Sequence, residues 1–371
     1  MPRSDFLPFA TGAGANVMSQ TDFANDPSTS AGYSAGIAQS SKVNKVWRQS
    51  SFVGAAIAQF IMNELGVDVL DNGVLSDFVN NYRSAMTALQ AREVLWSDTN
   101  FYVNSSTGNN SNDGRSQNEA WQTLQYASNY LIDAVDFNGY LVTVNVADGT
   151  YAGVNVTSTP IGCNQGVESL RFIGNPGNPQ NVIVSGANTP AFIFQQGVHA
   201  TLQGMTLRSP TEVGNVYGGG IGMAVLAGAS IRVINNIFDA CVLRHMHAVD
   251  SGTIWVAGNY TIASGAQQHV YTENGGRIYF GPWLGGSIPV SSITVTLIGT
   301  PNFSSAFAYS TLQSSIGSHG SGYVTFSGAA TGKRYHVERQ AIIDGGGAGI
   351  THYPGDTAGT VDATTYGLYL P

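Results

Sequence analysis

The sequence predicts a mainly β chain built as a solenoid behind a small helical module. Two observations predict it. A short pattern of strand, turn, strand and Gly-rich loop recurs from about Val142 to Phe280, and only 10% of residues are charged while 46 of 371 are Gly. Ordinary globular chains carry about 25% charged residues. Stacked coils of strand need tight turns more than charge, and their long side faces suit extended ligands.

About the first ninety residues follow a helical period instead. Ser50 or Ser51 can cap a helix in which Phe52, Ala56, Phe60 and Met62 recur at helical spacing, with Gly66 as its stop. A second helix is predicted from about Val74 to Arg92, its apolar face made by Leu75, Phe78, Val79, Tyr82, Met86 and Leu89. Two helices bury little alone, so residues 1–96 read as a docking module that completes its core against partner chains or a larger assembly. The apolar run from Phe52 to Met62 is far shorter than the about 18 residues of a membrane span, and MPRSDFLPFATGAG has no signal-like apolar region. Neither membrane insertion nor secretion by its own signal is expected.

In the body, GASIRVINNIFDA at Gly228, SGTIWVAGNYTIAS at Ser251 and GGRIYFGPWLGG at Gly275 align, which places Ile231, Ile254 and Ile278 at intervals of 23 and 24 residues. A looser copy, GVHATLQGMTLRS at Gly197, precedes an extra loop from Thr211 to Gly222. Its GGGIG lacks the Lys-Ser/Thr pair of a phosphate cradle and reads as an insertion. Strand alternation turns Ile231, Val233, Ile254, Val256, Ile278 and Phe280 inward and stacks Arg232, Trp255 and Tyr279 in one outward column. Beyond Pro289, SSITVTLIG and SGYVTFSG are strands without a clean period, either the last coils or the start of a separate β domain.

The net charge of −8 argues against a nucleic-acid partner, which needs a basic field. Cys163 and Cys241 read as buried thiols. Sugars offer an apolar C–H face beside hydroxyls, so Trp255, Tyr271, Tyr279 and Trp283, with Arg232, form the candidate glycan-binding set. Tyr271 and Trp283 also suit packing against a neighbouring chain. A glycosidase needs two carboxyl groups roughly 5–9.5 Å apart. The candidate acids of the repeat region are Glu212, Asp239, Asp250 and Glu273, and the pairs to test are Asp239 with Asp250 or Asp250 with Glu273. The competing reading of each is a solvated turn residue.

RHMHAVD puts His245 and His247 two apart, on one face of a strand and near Asp250, with His269 one coil above. Hydrogen-bonded histidines or a stacked ladder compete with metal ligation there, and no metal or cofactor is expected. A lyase would use His247 or His269 as base and Arg244 or Arg277 to hold a uronate carboxylate, a reading ranked below hydrolysis.

Three segments carry a family resemblance. From Asn100, the strand FYVN, the polar loop closing on Asn112-Asp113-Gly114, the helix entry Trp121-Gln122-Thr123-Leu124 and the strand ending Ala147-Asp148-Gly149-Thr150-Tyr151 together resemble the opening of right-handed parallel β-helix proteins, with the helix as end cap. PFATGAGANVMSQTDFAN at Pro8 and GYSAGIAQSSKVNKVWRQSSFVGAAIAQFI at Gly32 are similar to the virion-proximal segment of tail fibres and tailspikes of tailed bacteriophages. IIDGGGAGITHYPGDTAGTVDATTYGLYLP from Ile342 is similar to their short C-terminal tips. The resemblance implies a homotrimer that docks to phage tail or adaptor proteins through residues 1–96. It implies a capped right-handed parallel β-helix body over 97–332, a short β tip over 333–371, and recognition of host surface polysaccharide along the body. The protein would be made in the host cytoplasm and carried on the virion. Many such proteins degrade polysaccharide, so a depolymerase is the alternative to an adhesin. A free secreted bacterial enzyme is disfavoured by the lack of a signal and by the N-terminal resemblance.

Overall fold

The computed structural model describes residues 2–37, 39–88, 92–164, 169–212, 218–281, 292–320 and 322–371. The chain divides into two compact units, Met1–Ala91 and Arg92–Pro371.

The first unit is helical: α1 (Gln20–Asn25), α2 (Ser28–Ala31), α3 (Ser40–Leu65) and α4 (Leu75–Ala88). Gly66 ends α3 in the left-handed conformation, its N–H bonded to the Met62 carbonyl. The start lies about three turns before the expected Ser50. Those early turns are polar and gain their support from tertiary contacts: Lys42 pairs with Asp26, and the Lys45 ammonium lies 5.9 Å over the Phe23 ring. The unit's core is small, consisting of Ala58, Ile61, Val69 and Ala85 with Phe6, Phe60 and Phe78 packed on it. Along α4, Leu75, Val79, Tyr82 and Met86 form an apolar stripe that is 40–75% exposed. Leu89, expected on the same stripe, lies outside the described residues.

The second unit is a parallel β solenoid. Its chain visits three sheets in turn, and within each sheet successive strands pair in parallel with those one coil below and above; Glu93–Val94 and Val135–Asp136 form a separate two-stranded pair. Sheet A has ten strands, from Thr99–Val103 to Leu368–Leu370; sheet B runs from Gly149–Ala152 to Val324–Ser327; sheet C runs from Val154–Val156 to Thr360–Val361. The strands after Pro289 are coils of the same solenoid, and so are those beyond Lys333, because Tyr335–Val337 and Ile342–Asp344 extend sheets C and A. Ile231, Val233, Ile254, Val256, Ile278 and Phe280 are fully buried inside, as alternation requires.

Two devices hold the coils in register. The corner from sheet C to sheet A is a pair of left-handed residues in coil after coil: Gln196-Gly197, Ala227-Gly228, Asp250-Ser251, Asn274-Gly275, Leu312-Gln313 and Arg339-Gln340, with φ between 45° and 75°. At the N-terminal end, α5 (Leu124–Ala134) lies over the first coil, burying Leu124, Ala127 and Leu131. The amide of its Gln125 exchanges two hydrogen bonds with the backbone of Asn155, Nε2 to O at 2.9 Å and N to Oε1 at 2.8 Å. That amide supplies the edge strand with the partners a further strand would otherwise give. Trp121 anchors the cap, stacked on Phe101 at 5.0 Å with its Nε1 donating to the Asn112 carbonyl. Gly114 is left-handed, and a Cβ there would sit 2.4 Å from the indole. Only glycine closes this loop.

Candidate functional site

The outer face of sheet A carries the predicted column. Register pairs Thr143, Arg171, Thr201, Arg232, Trp255, Tyr279 and Gly317 in order up the solenoid. The Trp255 and Tyr279 rings stack at 4.7 Å and 28°. Gly317 makes room for this platform, since a Cβ there would come within 3.0 Å of the Tyr279 ring. Both rings are half-buried, whereas Arg232 is only 5% exposed. Its charge therefore lies beneath the surface, and the exposed cation of the face is Arg277 in the neighbouring column. Arg277 and Tyr279 point the same way from one strand, about 7 Å apart.

The outer face of sheet C carries a second column, of which the sequence reading named His247 and Tyr271 but not the arrangement. Ala224, His247, Tyr271, Tyr309, His336 and Thr360 are stacked in register. Their rings meet edge to face at 5.1, 5.2 and 4.6 Å. Carboxylates close off this ladder. Glu273 accepts from His247 Nε2 at 3.0 Å and from the Tyr271 hydroxyl at 3.1 Å. Glu338 accepts from the Tyr309 hydroxyl at 3.2 Å and from Thr311 Oγ1 at 3.0 Å. Arg244 covers Tyr271, its Cζ 3.7 Å from the ring centre, and its Nη1 reaches His247 Nδ1 at 3.2 Å. The network assigns His247 the Nε2–H tautomer. Burial lowers the His247 pKa, outweighing the upward pull of Glu273, so the ring is neutral. The His247 hydrogen bond holds Glu273 below the usual carboxylate range. Burial would raise Glu338, but bonds from Thr311, His336 and Tyr309 bring it below that range too.

Sequence alternation put His245 and His247 on one face, and the structure separates them. The ladder pairs Arg244 with Gln268 and Met246 with Val270 but skips His245 and His269, so alternation breaks there and both of those rings enter the interior. His245 Nδ1 meets His269 Nδ1 at 2.8 Å, and Tyr260 lies 2.6 Å from His269 Nε2. Burial lowers His245 to about 3 and His269 well below its ordinary value. Tyr260 donating to His269, and His269 to His245, leaves one buried N–H without a partner, His245 Nε2. Among the described residues no group of three potential metal ligands comes together.

The remaining predicted residues scatter. Asp239 lies on sheet B and is bound by Arg208 through Nε at 2.8 Å and Nη2 at 2.7 Å. Asp250 is a left-handed corner residue bonded by the Asn274 amide. Asp239 and Asp250 thus sit at different places around the coil. Asp250 and Glu273 lie on consecutive coils, but each turns to its own partners. Tyr271 is 9% exposed beneath Arg244, which removes it as an open platform. Trp283 lies outside the described residues. Cys241 is buried, whereas Cys163 is half-buried; burial pushes both thiols up to about 12. No family model, curated protein or solved structure matches this chain.

The chemistry available on the two faces differs. A general acid must keep its proton near neutral pH, and Glu273 is held ionised by its neighbours. A general base must reach substrate, and His247 is fully buried. Sheet C therefore offers a satisfied network, and sheet A offers stacked rings beside an exposed cation.

Proposed function

We propose that this protein is a phage tail fibre or tailspike that binds host surface polysaccharide on the outer face of sheet A without cleaving it. The observation that carries the reading is the stacked Trp255–Tyr279 pair, outward on consecutive coils and flanked by Arg277. Aromatic rings in line along a solenoid match the C–H faces of successive sugars. The helical first unit is the virion-docking part, and its exposed α4 stripe is what a module that completes its core against other chains presents. The assembly is a homotrimer of right-handed β-helices carried on the virion, which multiplies a weak site threefold through avidity. The hydrolase reading loses support because Asp239, Asp250 and Glu273 are each engaged by other side chains.

The test is retention of the full chain on immobilised surface polysaccharide from candidate hosts, followed by sizing of the glycan. Binding that Trp255→Ala removes, glycan of unchanged length, and a solution mass three times that of the chain are expected. Shortened glycan would replace the adhesin with a depolymerase.

A further inference from the structure

We infer that copies of this chain pack on one another through the outer face of sheet B, turned toward a shared threefold axis; this rests on the trimer of the reading above. From Thr150, register carries one outward column through Ile183, Thr206, Ile237, Thr261, Thr296 and Ser327, and so through all seven strands of the sheet. Every member is uncharged, and all but Ser327 are β-branched. The strands of sheet B contain just two charged residues, Arg208 and Asp239, which neutralise each other through contacts of 2.8 and 2.7 Å. The chain as a whole has a net charge of −8. The other faces keep their charges: Arg277 is exposed on sheet A, and Arg244, Glu273 and Glu338 line the ladder of sheet C.

Symmetry fits this composition to further copies of the chain. Around a cyclic axis the residues nearest the axis meet their own equivalents, so a charge there faces the same charge on each neighbour, and like charges brought together cost affinity. A neutral column is complementary to itself. The centre of a subunit interface is depleted of charged residues, as this column is. β-Branched side chains hold few rotamers, so ordering them on association costs little. Thr150, Thr296 and Ser327 are exposed toward the ends of the column, and Ile183, Ile237 and Thr261 are half-buried between them. Ile298, two residues on from Thr296, is 55% exposed. Thr206 is buried and donates to the Pro179 carbonyl. Seven strands at about 4.8 Å give the column a length of roughly 30 Å, over which parallel copies meet coil by coil. The packing also keeps the outer face of sheet A clear of the axis.

The full chain is tested by light scattering and by cross-linking with a short bismaleimide. Its mass should be three times that of the chain. Thr296→Arg should raise the concentration at which trimers dissociate at least about tenfold, most strongly at low salt. Thr143→Arg, in the outward column of sheet A, should leave the mass unchanged. Thr296→Cys and Ser327→Cys should be joined into covalent dimers beyond what Cys163 and Cys241 of the parent chain give, while Thr143→Cys should not. Melting curves show which variants fold, and the cysteine results stand even if Thr296→Arg does not. Any mass other than that of three chains would overturn the interface and the trimer together. A trimer in which neither Thr296→Cys nor Ser327→Cys is cross-linked, or one that a folded Thr296→Arg leaves intact, would overturn the interface and leave the trimer standing. Thr296→Arg that keeps its mass but loses retention on the immobilised polysaccharide would give the face to glycan and overturn it too.

Discussion

The outer faces of sheets A and C are built on the same coils from the same kind of aromatic column, yet they end in opposite states. On sheet C every ring of the column finds a polar partner within the chain, and the ladder His247, Tyr271, Tyr309 and His336 is tied to Glu273 and Glu338. On sheet A the Trp255–Tyr279 stack is bordered by cations and by strands without acids. A ring column tied to carboxylates of its own chain stabilises the solenoid, and the sheet A stack is the surface on which we propose that glycan binds.

The largest effect expected from this contrast is on acid stability. His245, His247 and His269 are buried neutral, so their folded-state pKa values lie below those of the unfolded chain, near 6.5. Between pH 6.5 and the depressed value, about 3 for His245, the unfolded chain binds more protons and stability falls as pH falls. Each histidine adds a slope of up to about 1.4 kcal/mol per pH unit. Thermal melting from pH 7 to pH 4.5 should show the loss, and His247→Gln should flatten it. An unchanged melting temperature across that range would break the comparison.

Next in size is Tyr271→Ala, which removes the ring between His247 and Tyr309 and should cost about 3 kcal/mol in urea unfolding. Trp255→Ala on sheet A should cost less than about 1 kcal/mol by the same measurement while abolishing glycan retention. If the two variants exchanged these signatures, the assignment of the faces would be reversed. The smallest effect is Ser251→Gly at the left-handed corner, where φ is 64°. It should stabilise by up to about 1 kcal/mol, seen as a slightly raised melting temperature.

The middle of sheet A was legible because the coils from Ile231 to Ile278 keep nearly constant length. Intervals of 23 and 24 residues place Ile231, Ile254 and Ile278 in register, and alternation then orders Arg232, Trp255 and Tyr279. The sheet C column was not, because Tyr309 and His336 lie beyond Tyr271, in coils whose spacing departs from that period on sheet A and sheet C alike. No fixed period brings Glu338 near Tyr309. Alternation misled at His245, where the ladder skips a residue, and sequence has no signal for such a skip. The helix signals were sound at Gly66 and short at the other end, where Lys42 and Lys45 depend on partners distant in sequence. Burial of Arg232 is likewise a property of what surrounds it.

The left-handed corner between sheets C and A has a consequence for how such a chain can change. Because two residues close the coil there each time, added length is accommodated elsewhere, as between the sheet B strand Thr206–Ser209 and the sheet C strand Ile221–Val225. Outward positions of sheet A follow this fixed joint at a constant offset. One of them can therefore be exchanged without shifting the backbone above and below, although at Gly317 a side chain would press on the Tyr279 ring. New side chains can be written onto the face one coil at a time, by point substitution, while the backbone that presents them keeps its shape.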